Sequence, residues 1–71
     1  MTIKTHILEA VHSHYAAERD KALANIKIHI NNPVGVGEHS NITKEVKKLL
    51  LEIAESKDVL NTIGEMKKNG D

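Results

Sequence analysis

Between residues 42 and 63 the apolar side chains fall on a ladder. Ile42, Val46, Leu49, Ile53, Leu60 and Ile63 are spaced by fours and threes, with Ser56 as the one polar rung. This is the spacing of a heptad seam. It predicts a helix from about residue 40 to residue 68, and it requires a second helix to cover the seam. Ser40 or Asn41 is the expected N-cap. Lys67 and Lys68 place cations at the C-terminal end of the helix dipole, and Gly70 follows as a stop. Gly64 lies inside the helix at a cost of about 1 kcal/mol relative to alanine. Leu49, Leu50 and Leu51 together cover about 200° of helix, at 100° per residue. One partner helix does not cover so wide an arc, which favours a bundle of more than two helices over a single stray exposed leucine.

The first half carries a less regular stripe. Ile7, Val11, Tyr15, Ala22, Ile26 and Ile30 recur at intervals of four or seven, with Leu8 and Leu23 widening the stripe and the polar Glu18 and Arg19 interrupting it. A helix from about residue 2 to residue 31 is predicted. Ala16, Ala17, Ala22 and Ala24 favour it and are small enough to let a partner helix approach closely. Ile26-Lys27-Ile28-His29-Ile30 competes as a strand, because it alternates strictly and is β-branched. The helix is preferred because Ile26 and Ile30 continue the stripe and no second strand stands ready to pair with this one.

The two patterns are separated by Asn32-Pro33-Val34-Gly35-Val36-Gly37-Glu38-His39, read as a loop of about residues 32 to 39. Pro33 disfavours helix at Asn32, and Gly35 and Gly37 permit positive φ. Val34 or Val36 is expected to tuck under the end of the hairpin. Hairpin geometry requires Pro33, Gly35 and Gly37. It does not require Glu38 and His39, which are the more plausible functional positions of the segment.

The expected fold is all-α: a single domain over residues 1–71, a two-helix antiparallel hairpin that dimerises into a four-helix bundle. Val11, Tyr15, Ala22 and Ile26 of the first helix are the expected interface residues. Val46, Leu49, Leu50, Ile53, Leu60 and Ile63 are their counterparts on the second.

Composition strengthens the case for self-association. The chain has 71 residues, no Cys, no Trp, no Phe and Tyr15 as its only aromatic residue. No disulfide staples it and no aromatic side chain enlarges its core, and small aliphatic scaffolds of this kind are usually completed by oligomerisation. Ten basic residues balance ten acidic ones, interspersed along the chain. Nothing in that pattern attracts phosphates or an anionic membrane, so neither nucleic acid nor membrane is an expected direct partner. Met1 to His6 do not read as a signal peptide, and no apolar run is long enough to span a bilayer. A cytoplasmic location is the default expectation.

Candidate chemistry is sparse. His6, His12, His14, His29 and His39 contain no pair at the i, i+3 or i, i+4 spacing by which a helix presents two metal ligands. Gly35-Val36-Gly37 runs toward a helix N-terminus, but Glu38-His39-Ser40 breaks both the dinucleotide and the P-loop patterns, and Glu38 repels anions. Glu38 with His39 is a conceivable acid–base pair, with neither a nucleophile nor a pocket implied. No metal, cofactor or catalytic residue is therefore expected. Ser56 reads either as a tolerated small residue or as a polar position that sets register.

The segment from Asn31 to His39 resembles a stretch in short proteins of tailed bacteriophages, which carry Asn-Pro-Val-Gly-Ile/Val-Gly-Glu-His between two helical stretches. Their first stretch includes a His-Tyr pair and an Arg, comparable to His14-Tyr15 and Arg19. The resemblance implies a phage origin, a helical hairpin, and a loop motif of Asn32, Pro33, Gly35, Gly37, Glu38 and His39. It brings no activity with it. The function these features suggest is a small non-enzymatic interaction or assembly module. The alternative is a nucleic-acid, transcription or replication accessory that works through protein partners.

Overall fold

The computed structural model describes residues 2–31 and 39–69, and for 39 and 40 the backbone alone. Two helices make up the fold: α1, Ile3–Asn31, and α2, His39–Lys68. They lie antiparallel. Glu9, early in α1, stands 3.9 Å from Lys67 at the end of α2, while Ala22 and Ile26 pack with Leu49 and Ile53 nearer the turn. The result is a rod 50 Å long and about 15 Å across.

Local chemistry accounts for the ends. Thr2 caps α1: its Oγ1 accepts the Thr5 amide at 3.2 Å, and its carbonyl accepts the His6 amide at 3.1 Å. At the other end of the chain the Asn69 amide donates to the Glu65 carbonyl at 3.0 Å, closing the last turn of α2. The alternating segment from Ile26 to Ile30 is helical. The α2 boundary differs by a step from expectation. His39 is the first helical residue, not the last of the loop, so Ser40 and Asn41 lie within the first turn and are not caps. Asn32, Pro33, Gly35, Gly37 and Glu38, with the expected tucking of Val34 or Val36, lie outside the described residues.

The seam of α2 follows the heptad. Leu49, Ser56 and Ile63, seven residues apart, are its buried positions, and Ile42, Val46, Ile53 and Leu60 are half-buried beside them. From Ile42 to Ile63 the ladder advances 21 residues in six steps. Such a ladder stays on one face once the helices coil slightly around each other.

α1 behaves differently. Its apolar stripe advances 23 residues from Ile7 to Ile30, which at about 100° per residue is six turns and about 140°. The stripe therefore winds across the face that meets α2. It lies on that face only from Tyr15 to Ile26. Ile7 and Val11 fall on one side of the contact, and Ile30 falls on the other, all exposed. Leu8, Arg19 and His29 occupy the seam in their place, half-buried. The contact face of α1 is thus Leu8, Tyr15, Ala22 and His29, with Arg19 and Ile26, and it is partly polar.

Gly64 weakens α2 without a packing reason among the described residues of its own chain. A Cβ placed there meets nothing within 4 Å. Gly64→Ala is expected to stabilise by about 1 kcal/mol through helix propensity, raising the thermal midpoint by roughly 4–8 °C for a domain of this size. Gly64 follows the buried Ile63 as Leu50 follows Leu49, so a fall in the midpoint would show that a close contact between copies uses its open side.

Candidate interaction surface

The structure offers chemistry little enclosure. Among the described residues there is no pocket, no group of three or more His, Asp or Glu placed to share a metal ion, and no helix long and apolar enough to cross a membrane. His6, His12 and His14 are exposed, and the His14 ring meets Tyr15 edge-on at 5.1 Å. His29 faces the hairpin seam, with its Nδ1 buried and without a hydrogen-bond partner among the described residues. The Glu38 and His39 side chains lie outside those residues, so their acid–base geometry is not defined.

What stands out is apolar surface left in the open. Only four apolar residues among those described are buried: Ala22, Ile26, Leu49 and Ile63. Twice that number of large apolar side chains are exposed, namely Ile3, Ile7, Val11, Leu23, Ile28, Ile30, Leu50 and Leu51. The chain exposes 5481 Å², whereas a compact monomer of this mass is expected to expose about 4,400 Å². The cause is geometric. Two helices meet along one line, so each covers one stripe of the other and leaves the flanks bare.

The expected interface residues divide accordingly. Tyr15, Ala22, Ile26, Val46, Leu49, Ile53, Leu60 and Ile63 line the seam between the two helices of one chain. Val11 and Leu50 stand outside it. Within the leucine run, Leu49 is 6% exposed, Leu50 53% and Leu51 66%, so the run is one core residue and two outward ones. Sequence reasoning passed over Arg19 as an interruption and did not place His29 in the seam. A signal existed: Leu8, Tyr15, Ala22 and His29 are spaced by sevens, the same repeat as the α2 ladder.

Ser56 is 3% exposed and lies between Leu49 and Ile63. Ser56→Ala exchanges a buried hydroxyl for a better helix former and is expected to stabilise by about 0.5 kcal/mol with the oligomeric state unchanged. Differential scanning calorimetry with sedimentation on the same samples checks both parts. A changed mass would assign Ser56 a role in register.

No protein-family model, curated protein or solved structure matches this chain.

Proposed function

We propose that this chain is a small non-enzymatic interaction module that works by self-association, its hairpins pairing through their outer apolar flanks into a four-helix bundle. The observation that carries this reading is the imbalance between four buried and eight exposed large or core apolar residues, with no enclosed site among the described residues to suggest chemistry. Large apolar side chains exposed in excess of those buried favour an association surface where they gather on one flank. Balanced charge suits the reading, because like chains of zero formal net charge do not repel one another as a whole. In the phage setting suggested by the loop resemblance, such a module would act as an assembly or adaptor part inside the host cell.

Sedimentation equilibrium at micromolar concentration tests the proposal, with a mass of twice the chain as the expected result. The thermal midpoint should also rise with protein concentration, since association stabilises by mass action. A monomer that melts cooperatively, at a midpoint independent of concentration, would overturn it.

A further inference from the structure

Resting on the self-association reading, we infer that a second copy of this chain docks on one particular flank of the hairpin, the flank carrying Leu23 and Ile30 of α1 and Leu50 of α2. Each of these follows a seam residue directly: Ala22, His29 and Leu49. A following residue lies about 100° further round its helix, and in antiparallel helices that rotation carries both to the same side. Ala22 and Leu49 share one cluster, so Leu23 and Leu50 stand at the same height with the groove between the helices separating them. Both are exposed, as is Ile30. The opposite flank differs. Its exposed large apolar residues, Ile7, Val11 and Ile28, all come from α1, and Val59 and Met66 of α2 are already half-buried there. Leu51 is a further step round from Leu50, on the back of α2.

Area and charge both fit a second copy. One long face of a rod 50 Å by 15 Å offers about 700 Å², against the roughly 800 Å² per partner of a standard stable interface. A two-fold axis along the rod lays α1 of each copy over α2 of the other at matching heights. Leu23 then meets Leu50 of the second copy. On the same flank Glu9 follows Leu8, and its carboxylate is exposed, 3.9 Å from Lys67 of its own chain. Lys57 follows the buried Ser56 and is exposed, so the two-fold brings each Lys57 toward Glu9 of the other copy. Asp20, which pairs with Arg19 of its own chain at 3.1 Å, stands further round with Lys27 and Lys47, at the rim, where charges are screened by solvent.

Sedimentation equilibrium of the full chain tests the assignment with Leu50→Glu, Leu51→Glu and Ile7→Glu. Leu50→Glu should weaken dimerisation by about ten-fold or more. The other two should change it by no more than about two-fold. Circular dichroism on the same samples separates dissociation from unfolding. Should Leu50→Glu unfold the chain, Leu50→Ala removes the contact without adding charge and should weaken the dimer with helicity kept. If Ile7→Glu or Leu51→Glu dissociates the dimer as strongly as the Leu50 variants, or the Leu50 variants leave it intact, the flank is wrong while self-association stands. A wild-type chain that is monomeric at every concentration removes self-association itself.

Discussion

Leu49→Ala is expected to be the most damaging single truncation in the chain, lowering stability by on the order of 3 kcal/mol. Leu49 is one of four buried apolar residues among those described, and it sits in the cluster that joins the two helices through Ala22 and Ile26. Removing its side chain loses the transfer energy of the deleted carbons and leaves a gap in the cluster against which Ile53 packs. Proteins hold roughly 0.05–0.15 kcal/mol per residue in net stability, so a chain this short has little in reserve. A midpoint lower by about 15 °C follows from the usual conversion for small domains. Thermal melts followed by circular dichroism at fixed protein concentration measure it. A loss below about 1 kcal/mol would mean that the seam at Leu49 contributes little and that stability resides elsewhere.

Ala22→Leu is the second large effect, and its sign runs against simple hydrophobicity. Ala22 is the most buried residue described, at 1% exposed, and it faces Leu49 and Ile53 of α2 across the contact. A small side chain there lets the helix backbones approach closely. Leucine would need room for three more carbons where none is open, and overpacking of that kind costs about 1–3 kcal/mol despite the added apolar area. The expected result is a midpoint lower by about 10 °C at unchanged helicity. A higher midpoint would show that the seam holds unfilled volume and that the helices stand further apart than the contact at Ala22 implies.

Both effects concern residues whose importance could be read from the pattern, although for different reasons. The α2 ladder was legible because its period matches the physics. A strict alternation of fours and threes averages 3.5, so every rung from Ile42 to Ile63 stays on one face, and the buried positions Leu49, Ser56 and Ile63 are three of those rungs. The α1 stripe was legible only through its middle. Its intervals average closer to four, so it winds away from the contact. Ile7, Val11 and Ile30 are left outside, and Leu8, Arg19 and His29 are taken in. Apolar identity alone does not distinguish a stripe that follows a seam from one that crosses it.

The candidate surface was legible to the same degree. Three consecutive leucines cover more arc than one helix contact can bury, and two of them are indeed exposed. Which of Leu49, Leu50 and Leu51 faces inward also follows from the ladder. That Leu23 stands level with Leu50 on the same flank required the pairing of the two helices, because a flank belongs to both at once.

The sequence by itself determined two helices, their approximate extents and the face that α2 turns to its neighbour. These are consequences of local periodicity, which acts within a few turns of the chain. Only the tertiary structure decided the register of α1 against α2, and with it the polar entry of Arg19 and His29 into the seam and the sorting of the exposed apolar residues onto separate flanks. The physical reason is that a regular seam needs one regular partner to define it. The heptad of α2 selects the line along which contact is made, and of the two patterns in α1 it takes the sevens of Leu8, Tyr15, Ala22 and His29 over the wider-spaced apolar stripe.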